Sequence, residues 1–268
     1  MTWHGGKVLT APRFYNVFWG TYWASHPDDK SWFDGFTAAV ASSKELASQV
    51  TEYGVNGQLL GAGSFAGSVV VQQDPAATIT DHDLATFIQG QINAAAIPQP
   101  DDHNVYSVFL SPGVKIQNED KAVGYHTSSY GFREIMVHFD SYVLDVASRD
   151  VAAVTYSHEM AETITDPDLD AWYDDATSNE IGDVCQGHLA LAAGYTIQQE
   201  WSEADGKCMA ARDVPLPPNG GVCPPGTHLD GPDCYGDFTS WGCSSAGAGF
   251  PALLGLLALV RRKRRALA

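Results

Sequence analysis

The sequence predicts an α/β fold, loosening toward α+β: a mixed sheet with flanking helices, then a linker, a small cysteine loop and an apolar C-terminal helix. Three observations carry this. Runs rich in aromatic and β-branched residues alternate with stretches whose apolar residues recur at helical spacing. The composition, 44% hydrophobic and 11% aromatic over 268 residues, is that of a chain with a substantial core. After residue 212 the composition turns to Pro and Gly (V-P-L-P-P-N-G-G), as an extended linker does. The resulting division is a main domain over 1–212, a linker over 213–221, a Cys loop over 222–242 and a tail over 243–268.

Residues 8–19 (V-L-T-A-P-R-F-Y-N-V-F-W) read as a strand. Over 30–53, Phe33, Phe36, Val40, Leu46 and Val50 fall near helical spacing, and Gly54 with the G-A-G-S run at 61–64 ends the helix. Ser68–Gln72 is a short β-branched strand. Asp81 can cap a helix reaching about Ala95, ahead of Pro98 and Pro100. Val105–Leu110 and Ile135–Phe139 are further strands, and Ser148 or Asp150 caps a helix that runs to Thr165 and stops before Pro167.

The formal net charge of -17 is unevenly spread. Arg261, Arg262, Lys263, Arg264 and Arg265 form one run, leaving ten basic residues against 32 acidic ones in the rest. Such a body is repelled by phosphate backbones, which argues against a nucleic-acid partner and suits cation binding. The five cysteines are an odd number, an even framework plus one with a separate task. Cys223 and Cys234 enclose a short Pro/Gly loop that suits a local disulfide, and Cys185 would then pair with Cys208. Both pairings need an oxidising compartment.

The tail addresses the compartment. Ala246–Val260 would span about 22 Å as a helix at ~1.5 Å per residue, a marginal membrane span beside positive charge that stays cytoplasmic. That orientation exports everything before Cys243. The pattern W-G-C-S-S-A-G-A-G, apolar helix, R-R-K-R-R resembles the MYXO-CTERM sorting tail of myxobacterial surface proteins. The resemblance implies processing and lipid attachment at Cys243, contact with sorting machinery and with the membrane through the tail, and a place on the outer surface of a Gram-negative cell. The N-terminal M-T-W-H-G-G-K-V-L-T lacks a charged region followed by an apolar one, so the expectation is a start downstream of the signal or a signal already removed.

Within the helix ending at Thr165, His158 and Glu162 are four residues apart and share a face, with Glu159 between them. This H-E-x-x-E resembles the zincin H-E-x-x-H helix, with Glu in place of the second His. A carboxylate can ligate zinc as an imidazole does, and Glu159 occupies the position of the general base. Zincins of the thermolysin kind take a third ligand from a downstream glutamate. In N-E-I-G-D that is Glu180, with Asp183 as an alternative ligand or as acceptor for a His158 ring N–H. One His with two carboxylates is a hard, anionic set, so zinc is expected with Mn²⁺, Fe²⁺ or Ca²⁺ as alternatives. His126 in G-Y-H-T and His188 in C-Q-G-H are further candidate ligands and read as structural. The acidic run from Asp166 lacks the Gly and Glu of an EF-hand and reads as a solvated turn. Ser157 adjoins His158 on a helix and cannot pair with it, and no phosphate-binding Gly loop is present.

In order, W-H-G-G-x-V-L-T, F-Y-N-V-F-W-G, V-Y-S-V-F-L-S-P-G-V, G-Y-H-T-S, S-H-E-M-A-E-T-I-T-D-P, A-W-Y, E-I-G-D-V-C and E-W-S over about residues 3–208 resemble the EXORDIUM-like (phosphate-induced) proteins and their bacterial relatives. Plant members are extracellular and associated with growth and the cell wall, and bacterial relatives are described as uncharacterised or as candidate metalloproteases. The resemblance implies secretion and a shared site of His158, Glu159, Glu162, Glu180 and Asp183. A cysteine usual before Y-H in the bacterial pattern is replaced here by Val123-Gly124. Two functions follow as expectations: a surface-anchored metal-dependent hydrolase, above all a zinc peptidase acting on a peptide or cell-envelope substrate, or a non-catalytic envelope protein with a structural ion or buried polar network.

Overall fold

The structure, a computed structural model, describes residues 1–117, 123–128, 130–139 and 144–211, and the backbone of 227–230 and 233–236. In chain order the strands begin β1 (Thr2–Trp3), β2 (Arg13–Trp19), β3 (Ser64–Val71), β4 (Thr78–Ile79), β5 (Asn104–Leu110), β6 (Lys115–Ile116), β7 (Gly124–Thr127) and β8 (Arg133–Val137). They continue with β9 (Trp172–Tyr173), β10 (His188–Ala192), β11 (Tyr195–Gln198), β12 (Glu200–Ser202), β13 (Lys207–Met209), β14 (Thr227–Asp230) and β15 (Asp233–Gly236). The helices are α1 (Thr21–Ser25), α2 (Pro27–Ala41), α3 (Lys44–Val50), α4 (Asp81–Asn93) and α5 (Val146–Thr165).

The expected mixed sheet is present, in the order β3-β2-β5-β8-β7. Its first four strands are parallel and β7 closes the edge antiparallel to β8. Every residue of β5 is buried, as a central parallel strand covered on both faces requires. Alternation splits the apolar residues between two cores. Phe14, Phe18, Val105, Phe109, Ile135 and Val137 face α2 and α5, while Val17, Tyr106, Val108, Leu110 and Met136 face α4. A bulge in β3 leaves Ala66 unpaired between Phe65 and Gly67, and Gly67 takes the φ of +118° that the irregularity needs.

Several boundaries differ from the sequence reading. The strand expected from Val8 starts at Arg13; Val8 and Leu9 are buried but precede Pro12. The helix expected over 30–53 is two helices, because Ser43 leaves the helical conformation and its side chain accepts from Leu46 N, starting α3. Ser64, read as part of a breaker, opens β3. Thr80, not Asp81, caps α4 in a reciprocal box with Asp83. Asp145 caps α5 by accepting from Ser148 N, so the helix starts earlier than Ser148 or Asp150 would allow.

The sheet face that carries Phe14 and Phe109 places α5. Ala152, Ala153, Tyr156, Met160, Ala161 and Ile164 pack into that core. The remaining faces of α5 meet β7 on one side and β11 on the other. From residue 152 to its end α5 is buried all round, including its charged residues. Cys185 and Cys208 form the expected disulfide. Linker residues 213–221, Cys223 and the tail with Cys243 lie outside the described residues, as does the Cys234 side chain. Among the described residues no helix is long and apolar enough to cross a membrane.

Candidate metal centre

Three segments bring the chemistry together. α5 supplies His158, Glu159 and Glu162, all fully buried. The edge strand β7 supplies His126, whose ring lies on the α5 side because its cross-strand partner Ile135 belongs to that core. The turn ahead of Cys185 supplies Glu180, buried, and Asp183, whose side chain is 11% exposed. All five residues expected at the site thus converge, and His126, read from sequence as structural, stands among them.

Glu162 is the hub. Its Oε1 accepts from the backbone N–H groups of Gly182 (3.1 Å) and Asp183 (3.2 Å), which leaves Oε2 directed inward. Oε2 lies 3.1 Å from His158 Nε2 and 3.8 Å from His126 Nδ1. The Oε2 and Nε2 atoms are both buried and without a hydrogen-bond partner, so their 3.1 Å approach is not an aligned hydrogen bond. A tetrahedral ion with ligands at about 2.0–2.1 Å spaces them roughly 3.3 Å apart, which this pair matches. Asp183 Oδ1 lies 4.0 Å from His158 Nε2 and completes one group able to hold an ion, His158–Glu162–Asp183. A second such group is His126–Glu159–Glu162. Glu180 is nearer the other side of His126, with Oε1 3.7 Å from Nε2 and no hydrogen-bond partner.

Glu159 is held asymmetrically. Its Oε2 lies 3.1 Å from His126 Nδ1, while Oε1 is 3.9 Å from His158 Nε2, buried and without a hydrogen bond. His126 Nε2 in turn faces the carbonyl of Asp166 at 3.3 Å. Asp166 itself is buried, accepting from Ala171 N, so the acidic run begins inside the protein rather than as a wholly solvated turn. Farther along, Asp174 caps its own turn at the surface through Ala176 and Thr177. Ser157 turns away from His158, donating to Val154 O and accepting from Gln198 N.

Two residues that sequence spacing did not single out surround His158. The Gln198 amide nitrogen lies 2.8 Å from both Gly182 O and His158 Nδ1. So placed, it donates to Gly182 O and faces the imidazole Nδ1. An imidazole that gives Nε2 to a metal keeps its hydrogen on Nδ1, where Gln198 must present Oε1, an atom with no partner here. Glu200 is fully buried nearby: a Cβ at Gly182 would lie 2.8 Å from its Oε2 and 2.5 Å from His158 Nδ1. Neither residue belongs to a local motif; E-W-S was visible only as a fragment of a longer pattern.

The electrostatics record an excess of acid. The ion pairs of Glu159, Glu162, Glu180 and Asp183 run to the two imidazoles. Burial raises Glu180 and Glu200 well above the carboxylate range; neighbouring carboxylates, Glu162 among them, add to this, and at Glu200 the His158 charge opposes it. Asp183 is raised to about 7 by burial and by Glu162, with His158 opposing. Burial depresses both imidazoles, but the Glu159 hydrogen bond and charge at His126, and the Glu162 charge at His158, outweigh it and raise them. For Glu162 burial is likewise the largest influence and acts upward, but His158, His126 and the Asp183 N–H together lower it. A divalent cation answers this surplus of buried carboxylate directly, and the unpartnered atoms face where it would sit. The chain matches no protein-family model and no curated protein.

Proposed function

We propose that the protein is a metal-dependent hydrolase, a peptidase above all, working outside the cytoplasm and tethered to the cell surface through residues 243–268. His158 Nε2, Glu162 Oε2 and Asp183 Oδ1 would hold the ion, with Glu180 beside them, and zinc is the first choice with Mn²⁺ or Ca²⁺ suited by the carboxylates. A bound ion supplies Lewis-acid polarisation of the scissile carbonyl. Glu159 takes a proton from the attacking water at Oε1 and returns it to the leaving amine, while His126 fixes Oε2. The observation that carries this reading is the buried, unpartnered Oε1 of Glu159, turned toward His158 with its other oxygen tethered. The Cys185–Cys208 disulfide supports an extracytoplasmic setting. The motif order over residues 3–208 supports kinship with the EXORDIUM-like proteins, and the tail pattern supports sorting to the surface.

The test is metal analysis of the purified chain with peptide-hydrolysis assays on wild type and Glu159→Gln. Expected are a tightly held divalent ion in both and a hydrolytic rate lower by about 10²- to 10⁴-fold in the variant. A metal-free protein, or a variant as active as wild type, defeats the proposal. One observation favours a second reading, a structural ion in an envelope protein: the ligand side chains are closed from solvent apart from Asp183. Its signature is an ion whose removal lowers Tm with no hydrolysis by either protein.

A further inference from the structure

The two ligand groups share Glu162 but not their imidazoles. His158 and His126 approach the same Oε2 from different elements, at 3.1 and 3.8 Å, while Oε1 is occupied by two backbone N–H groups. Oε2 is thus a single unpartnered oxygen between two imidazole nitrogens, and each nitrogen has its own further carboxylate: Asp183 beside His158, Glu159 beside His126. All three members of the His126 group are buried.

From this we infer a second divalent-ion site, His126–Glu159–Glu162, adjoining the His158–Glu162–Asp183 site and sharing the Glu162 carboxylate with it. The inference builds on the metal reading above. Two cations about one carboxylate repel, so the second ion binds more weakly than the first. Its entry displaces the proton between His126 Nδ1 and Glu159 Oε2, and it occupies the carboxylate that serves as base. The second ion is therefore a brake rather than a partner in hydrolysis.

The experiment is a Zn²⁺ titration of the full chain, stripped with chelator, followed by calorimetry and by equilibrium dialysis. Wild type is expected to take two ions per chain, the second roughly tenfold or more weaker. His126→Gln is expected to lose the second step and keep the first. Glu159→Gln, the smaller change, is expected to do the same and serves if the His126 variant does not fold by circular dichroism. A single ion in wild type overturns this inference and leaves the one-ion reading standing; no ion overturns both. A folded His126→Gln that loses both ions, or a Glu159→Gln that retains two, also overturns it.

Discussion

At position 182 a side chain has nowhere to go. A Cβ there would lie 2.5 Å from His158 Nδ1, 2.7 Å from Cε1 and 2.8 Å from Glu200 Oε2. Gly182→Ala is expected to destabilise the fold by about 1–3 kcal/mol, read by urea denaturation, and to weaken metal binding because the same turn carries the two N–H groups that hold Glu162. An alanine variant with unchanged stability and affinity would show that the turn is loose. A second expectation concerns pH in the metal-free protein. Asp183 sits at about 7 folded against about 3.9 unfolded, so its contribution to stability is full below that lower value and is lost as pH climbs through 7. Glu180, Glu200 and both imidazoles are raised and act in the same direction. Glu162 is lowered and acts oppositely, and its contribution is lost only as pH falls through its lowered folded value. The Tm of the stripped protein should fall from about pH 5 to about pH 8, and zinc should flatten or reverse the slope by favouring ionised ligands. A stripped protein that gains stability over that interval contradicts this. At this scale the sequence disclosed the residues of α5 and of E-I-G-D, because helical spacing and a short motif are local signals. It offered His126 as a candidate ligand but read it as structural, because His126 lies 32 residues before His158 and meets Glu159 only through the pairing of β7 with β8.

Helix α5 is the element on which the site depends, and its start is set by one side chain. Asp145 accepts from both the backbone N–H and the hydroxyl of Ser148. Asp145→Ala should cost about 1 kcal/mol in denaturant unfolding, with little change in metal affinity, because His158 lies more than three turns along. A loss of metal as severe as that of a ligand variant would mean that the helix moves as a rigid body. The helix itself was legible from its spacing and from Pro167, but its first residues were not: Ser148 and Asp150 are ordinary capping types, and only the bond geometry selects Asp145. The same ambiguity divided the stretch over 30–53. Ser42 and Ser43 do not interrupt apolar periodicity, so the break between α2 and α3 becomes visible only when the Ser43 side chain is seen accepting from Leu46 N. The strands β2 and β5 were legible because strands covered on both faces are written as nearly continuous apolar runs.

The described residues form a sheet with a core on each face, and α5 is pinned between the sheet and a layer of short strands. Mixed α/β content was readable from alternation, but the order β3-β2-β5-β8-β7 was not, since pairing of distant strands leaves no local mark. The layer over the site is fastened twice: Trp201 N donates to Ile181 O, and Cys185 is bonded to Cys208, which pairs with Trp201 across the β12–β13 hairpin. Replacing both cysteines by serine should cost about 3 kcal/mol for a loop closed over a separation of 23 residues, and should loosen the turn that bears Glu180 and Asp183. Thermal unfolding and zinc affinity of the double variant, compared with wild type treated with reductant, measure both effects; undiminished affinity would mean that the backbone bond holds the turn alone. The position of that disulfide also sets an order of assembly. One fastening of the turn that bears Glu180 and Asp183 forms only where sulfur is oxidised, so that turn gains its full restraint after the disulfide closes, while the backbone bond from Trp201 to Ile181 holds without it.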